Sequence, residues 1–269
     1  MNIYRKNKNF YKEVKNSIKG NRFKIFITLL LIIILWIIML SISVFLKLFS
    51  YRLNGIFLSD FFLERFFTNR FDLATINILP TILKEILFMS LYISLLDLVE
   101  KGNFKIFYLF KNIVKHYNKI IPLGFFIGFI ESMILFIPIP FSIFILIGFN
   151  IFKISLLYVG FIVKNDNRRE ILDYCIESIK LINKHKFQIF KIFIKYHLPS
   201  IIGFFIVFFG FLVFSYGALY ISVNGEVVGA YIMIISFIIT IFLTLKNKIY
   251  YHYAITLYYF KQISYEKVY

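Results

Sequence analysis

The chain has 269 residues, of which 60% are hydrophobic and only 17% are charged, and its formal net charge is +17. This composition excludes a disordered chain, and it argues against a water-soluble globule, because so much apolar surface could not be hidden from water. A multi-pass membrane protein remains. The excess of Lys and Arg is then typical of cytoplasmic loops that face anionic lipid, rather than of a protein that binds nucleic acid.

Six apolar segments are predicted to cross the membrane as helices, because about 20 apolar residues span the hydrocarbon layer. In chain order they cover residues 25–49, 73–96, 120–137, 141–163, 200–220 and 228–245. Pro138 and Pro140 break the chain between the third and fourth segments, and Pro199 suits the first turn of the fifth. The predicted fold is therefore an all-α bundle that forms one integral membrane domain over residues 1–269.

The distribution of basic residues predicts the orientation. With the N-terminus inside, four segments face the cytoplasm and carry 25 of the 31 Lys and Arg residues, namely 1–24, 97–119, 164–197 and 246–269. The outer segments hold four basic and four acidic residues, so their net charge is zero. We therefore expect a cell-membrane protein with both termini in the cytoplasm and with anionic lipid at its inner face.

Three segments between the spans are predicted to form amphipathic or interfacial helices. Residues 1–22 repeat apolar side chains at helical spacing, and the Phe-rich segment 51–72 is expected at the outer interface, where it is either a surface loop or a lid. The helix predicted at about 167–186 has an apolar stripe. The stripe consists of Leu172, Cys175 or Ile176, Ile179 and Ile182. This stripe either packs on the bundle or docks a protein partner at residues 164–197.

Polar residues inside the predicted spans are the main candidates for a functional site, because charge in hydrocarbon is costly. Spans two to four carry Lys84, Glu85, Glu131, Asn150 and Lys153. At about 1.5 Å per residue, the acidic pair and Lys153 lie roughly 16–18 Å from the inner ends of their spans, so the five form one midplane layer. The spacing favours Asn150 as the direct partner of Glu131, with Lys153 turning to Glu85. The layer is either a structural ion-pair cluster or a site that handles protons or substrate.

Small residues recur every four positions on span three, at Gly124, Gly128 and Ser132. Such a face lets another helix approach closely in a membrane. It is therefore a candidate helix-packing face, and its register overlaps only partly with that of Glu131.

Motifs that would carry enzymatic chemistry are missing from the sequence. The chain has no GxxxxGK[ST] phosphate loop, no HExxH and no GxSxG. Its four histidines have no metal-ligand spacing, and Cys175 is the single cysteine. No catalytic residue, cofactor or metal site is therefore predicted.

Four stretches of the chain resemble the DUF975 family of bacterial integral membrane proteins. They are residues 17–27 (SIKGNRFKIFI), 95–113, 158–192 and 249–263, and together they cover about 30% of the chain. The chain departs from the family at IPIP, where a Pro-Gly turn is expected. The resemblance implies a six-span architecture and supplies neither an established activity nor catalytic residues.

The sequence leaves three classes of function open. The first is a non-enzymatic membrane protein, either transport-related or envelope-associated, that acts with partners. The second is a small-solute or proton-coupled transporter that uses the midplane charged layer. The third and least favoured is a membrane enzyme that acts on lipid. The first class requires that every buried charge be paired in a tight bundle, and the second requires a polar route between spans two, three and four.

Overall fold

The computed structural model describes residues 2–53, 70–134, 152–165, 170–219 and 223–263, together with positions 137, 145, 148 and 149. All regular structure in these ranges is helical. The helices are α1 (Asn2–Ser17), α2 (Arg22–Leu53), α3 (Arg70–Lys101), α4 (Tyr108–Lys115), α5 (Tyr117–Met133), α6 (Val159–Asn165), α7 (Ile171–Leu219) and α8 (Val223–Tyr258), and α8 continues into a π-helical turn at Tyr259–Ile263. A helix satisfies its backbone hydrogen bonds internally, which suits segments this apolar.

Three of the described helices are long and apolar enough to cross a membrane. They are Arg22–Ser50, Ile171–Tyr216 and Val227–Lys261, and they contain predicted spans one and six and residues 200–216 of predicted span five. Such helices indicate a membrane protein. The predicted spans two and three correspond to α3 and α5, which are not among these three.

Several sequence predictions lie outside the described residues. These are most of span four, the turn at Pro138 and Pro140, Asn150, and the outer segment 54–69 with Phe57, Phe61 and Phe66. The count of six crossings stays a prediction.

The chain divides into two compact units, which we call the central unit (residues 27–184) and the terminal unit (residues 1–26 and 185–269). In the central unit α3 packs most extensively on α5 and also contacts α4 and α6. From Ser90 to Leu98 every residue of α3 is buried, so α3 is the central helix of this unit. Tyr92 of α3 meets Phe161 of α6 edge to face, with ring centroids 5.4 Å apart.

In the terminal unit α1 packs on α8. Val14 and Ile18, two residues of the predicted N-terminal amphipathic helix, are fully buried. Glu13 of α1 forms an ion pair with Lys261 of the π-helical turn. The apolar face of α1 thus lies against protein.

The predicted helix start at Pro199 is wrong. The structure has one continuous helix, α7, from Ile171 to Leu219, with Pro199 inside it. Residues 171–186 of the predicted cytoplasmic helix and residues 200–219 of the predicted span are therefore parts of the same helix. An interior proline removes one hydrogen bond from a helix, and apolar residues on both sides favour continuing the helix through that defect.

The apolar stripe predicted for the first part of α7 agrees with the buried face at Ile182 but not at its start. Leu172 and Ile176 are 68% and 49% exposed, whereas Tyr174, Ser178 and Ile182 are buried. Ser178 explains the shift, because its hydroxyl donates to Ser155 O over 2.8 Å and accepts from the Tyr158 N–H over 3.3 Å. A polar residue with two backbone partners thus sits on the packed face.

Candidate functional site

The candidate site is a group of four charged side chains in the central unit, which we call the charge ring: Lys84, Glu85, Glu131 and Lys153. Helix α3 supplies Lys84 and Glu85, and α5 supplies Glu131. Lys153 comes from a helical turn at residues 152–155. Three separate stretches of the chain therefore meet at the ring.

Each charge in the ring contacts opposite charges. Lys84 Nζ lies 2.7 Å from Glu131 Oε1 and 3.4 Å from Glu85 Oε1. Lys153 Nζ lies 2.7 Å from Glu131 Oε2 and 2.8 Å from Glu85 Oε1. Two acids and two bases thus alternate in a closed cycle with no net charge, which limits the cost of removing them from water.

The ring is largely enclosed by protein. The Glu85 side chain is 9% exposed, and those of Lys84, Lys153 and Glu131 are 22–25% exposed. All four ring residues thus point inward, where charged side chains of a membrane protein are expected to face. Asn150, the fifth residue of the predicted layer, lies outside the described residues.

Close contact between α3 and α5 holds the ring in place. A Cβ atom on Gly128 would lie 2.6 Å from Ile82 Cα, and one on Gly124 would lie 3.0 Å from the Ile86 backbone nitrogen. Ser132 Oγ lies 3.3 Å from Asn77 O. The α3 partner moves backward along the chain as α5 advances, so the two helices are antiparallel. Their backbones approach closely one turn or less from Glu131.

A second group of charges, which sequence reasoning did not single out, lies at the C-terminal ends of α3 and α6. We call it the end cluster: Asp97, Glu100, Lys101 and Lys164. Lys164 Nζ lies 2.6 Å from Glu100 Oε2 and 3.1 Å from Asp97 Oδ1, and Lys101 Nζ lies 3.2 Å from the same Asp97 oxygen. The i, i+4 spacing of Asp97 and Lys101 is readable in the sequence. The contact of Lys164 with Asp97 is not, because it depends on how α3 and α6 pack.

Electrostatics favour the ionised form of Asp97. Burial alone would raise the pKa of its carboxyl group, but the hydrogen bonds and positive charges of Lys164 and Lys101 outweigh burial and hold that pKa below its ordinary value. Asp97 therefore stays charged at neutral pH and keeps its contact with Lys164.

Buried hydrogen bonds join α4 to the same end of α3. Ser90 Oγ donates to Leu109 O, and Asn112 Nδ2 donates to Ser94 Oγ over 3.0 Å. Asn112 itself is buried. These polar contacts hold the segment after α3 in place, and none of them involves a side chain of the charge ring.

In the part of the chain that the structure describes, no group of three His, Cys, Asp or Glu side chains is placed to hold a metal ion. Chemically, the ring can hold three chain segments together or exchange protons between its carboxylates and a solvent path. No family model, curated protein or solved structure matches this chain. The resemblance to the DUF975 family therefore remains a prediction.

Proposed function

We propose that the protein is a non-enzymatic, multi-pass membrane protein, transport-related or envelope-associated, that acts with partners and whose charge ring is a structural junction. The observation that carries this proposal is the pairing of all four ring charges in a neutral cycle between tightly packed helices. A substrate site would need at least one charge left available to a ligand. In this ring each carboxylate already contacts two ammonium groups.

In the proposed topology the protein crosses the cell membrane six times and has both termini in the cytoplasm. The charge asymmetry of the loops supports this topology. The contact of Lys164 with Asp97 also supports it, because predicted spans two and four must both end at the inner face. Cysteine substitutions at Asn54 and Asn224 should react with an impermeant maleimide in intact cells, and one at Asn183 should not. Labelling at Asn183 would contradict the topology.

A protein partner at residues 164–197 is part of the same proposal. Leu172, Ile176 and Phe187 are apolar and 49–73% exposed on α7, and the segment carries eight of the basic residues. Exposed apolar side chains beside Lys and Arg suit a docking surface.

A proton-coupled transporter is the second candidate, and one observation favours it. The Glu131 side chain keeps 22% of its surface exposed, so a proton could reach it from a water-filled path.

One pair of measurements separates the two candidates. The melting temperature in detergent should be lower for Glu131→Gln, because a lysine loses its counter-charge. It should recover at least partly in the double variant Glu131→Gln with Lys153→Gln, in which the ring is neutral again. Proteoliposomes with a trapped pH dye should show no proton flux that depends on Glu131. Glu170→Gln, an exposed carboxylate outside the ring, is the control. Proton flux in the unmodified protein that Glu131→Gln abolishes without loss of thermal stability would favour the transporter.

A further inference from the structure

The terminal unit contains a predominantly apolar groove whose lining includes two cationic residues. Its volume is about 360 Å³, and its lining includes Arg22, Phe26, Phe242, Leu245, Lys246 and Tyr250. This volume is in the range of small-ligand sites. The groove belongs to the terminal unit and shares no residue with the charge ring, which belongs to the central unit.

On each of the two helices, a phenylalanine of the groove lining lies one turn from a cationic residue, on the side of the predicted span. Phe26 is one turn further along α2 than Arg22, and Phe242 is one turn before Lys246 on α8, which is about 6 Å in each case. Arg22 lies three residues before predicted span one, which begins at residue 25, and Lys246 directly follows predicted span six, which ends at residue 245. Both cations therefore lie at headgroup depth, and both phenylalanines lie at acyl-chain depth.

The Arg22 guanidinium has an unmet donor beside this groove. Its Nη2 donates to Lys15 O over 3.1 Å, and its Cζ lies 5.2 Å from the centre of the Tyr250 ring. Its Nε is buried and has no hydrogen-bond partner among the described residues. A phosphate oxygen is the acceptor that a guanidinium binds best, and we expect it at the outer guanidinium nitrogens, where the Nη2 hydrogen bond lies at the surface, and not at the enclosed Nε.

We propose that this groove binds one anionic phospholipid from the bilayer, with its phosphate at Arg22 and Lys246 and the upper part of one acyl chain along Phe26 and Phe242. Charge complementarity selects this occupant, because the groove lining combines two cationic residues with apolar and aromatic side chains. The site is one specific position, in addition to the general attraction of anionic lipid to the basic loops. The inference does not depend on the structural role of the charge ring.

Binding can be measured by native mass spectrometry of the full chain in detergent, titrated with palmitoyl-oleoyl phosphatidylglycerol or with the phosphatidylcholine that has the same acyl chains. One phosphatidylglycerol should bind more tightly than the rest, and phosphatidylcholine should not compete with it. Arg22→Gln with Lys246→Gln should weaken this first binding step at least tenfold, since each cation near a lipid headgroup contributes about a fivefold factor.

The matched control is Lys24→Gln with Lys248→Gln, which removes two cations from the same two helices without touching the groove lining. It should leave the first binding step within about twofold, because charges outside the site add only screened attraction. An equal loss in both double variants, or equal binding of phosphatidylcholine, would overturn the proposal.

Phe242→Ala gives an independent test, since that ring is 72% exposed and its removal leaves the core intact. It should weaken phosphatidylglycerol binding while the melting temperature without lipid stays unchanged, and unaltered binding would count against the acyl-chain contact.

Discussion

The α3–α5 pair of the central unit and the α7–α8 pair of the terminal unit solve the same packing problem with different chemistry. Both pairs are antiparallel and use glycine for close approach. In the second pair a Cβ on Gly203 would lie 3.0 Å from Thr240 Cγ2, and one on Gly229 would lie 2.8 Å from Phe214 Cβ. The first pair adds the charge ring, whereas Glu226 is the only Asp, Glu, Lys or Arg between residues 196 and 245.

Their surfaces differ in the same way. α3 is enclosed by its neighbours, whereas only 11% of the most apolar stretch of α7, and likewise of α8, is buried within the protein. Side chains such as Phe204 and Phe242, 65% and 72% exposed, need lipid to cover them. The comparison teaches that the buried ion-pair ring lies where protein surrounds a helix. The apolar stretches of α7 and α8 meet through close glycine contacts, and a hydrogen bond between the Tyr258 hydroxyl and His185 Nδ1 (3.1 Å) lies outside those stretches.

The largest expected effect comes from breaking the ring. Glu131→Ala leaves Lys84 and Lys153 each without one of its partners, and removing one partner from a buried ion pair costs about 3 kcal/mol. Glu131→Gln should cost less, because the amide oxygen still accepts a hydrogen bond. Chemical or thermal unfolding in detergent measures both.

The control for the ring lies in the other helix pair. Thr240 Oγ1 is buried and has no hydrogen-bond partner among the described residues, so Thr240→Val, which removes the hydroxyl and keeps the shape of the side chain, should change stability little. A loss as large as that of Glu131→Ala would show that charge pairing does not distinguish the two pairs.

Close backbone approach is expected to matter about equally in both pairs. Gly128→Ala places a methyl group against the Ile82 backbone, and Gly229→Ala places one against Phe214. Overpacking of this kind costs about 2 kcal/mol. Gly20→Ala is the control, since nothing lies within 4 Å of its added Cβ. If only Gly128→Ala destabilised the protein, the α7–α8 contact would not be the tight one described here.

A smaller and pH-dependent effect is expected at Asp97. Its pKa is lowered in the folded protein, so its contribution is present in full above the ordinary carboxyl pKa of about 4 and is lost as the pH falls through the lower folded value. Asp97→Asn should therefore lower the melting temperature at pH 7, by a stability difference of no more than about 1 kcal/mol. The gap to the unmodified protein should shrink below pH 4. A gap that stayed constant down to pH 3 would exclude the ionised carboxyl as its cause.

How much of this could be read from the sequence depends on the kind of feature. Composition and hydropathy predicted the all-α membrane class, because twenty apolar residues in a row have few other uses. The residues of the charge ring could also be named, since charge within an apolar stretch is conspicuous. Their pairing could be derived only in part: spacing predicted the contact of Lys153 with Glu85, but it favoured Asn150 over Lys153 as the partner of Glu131, which Lys153 also contacts. A lysine side chain reaches several ångströms along a helix, so residue counts do not rank its contacts.

The continuity of α7 and the register of its buried face were predicted wrongly for a related reason. Pro199 was weighed as a local signal, and the stripe at Leu172 and Ile176 was chosen because those residues are apolar. The structure instead buries Ser178, whose contacts with residues 155 and 158 no pattern within α7 could reveal. At Ser178 tertiary contacts outweighed local preference.

The smallest expected effect, that of Ile176→Ser, tests the corrected register when it is compared with Ser178→Ala. Ile176 is 49% exposed, so Ile176→Ser should change the free energy of unfolding by less than about 0.5 kcal/mol. Ser178→Ala, two residues away, should cost about 1 kcal/mol or more, because it leaves Ser155 O and the Tyr158 N–H without their side-chain partner. Both are measured by thermal unfolding of the full chain in the same detergent. The originally predicted stripe requires the opposite order, with Ile176→Ser the more damaging change, so the two variants together decide which face of α7 the central unit buries.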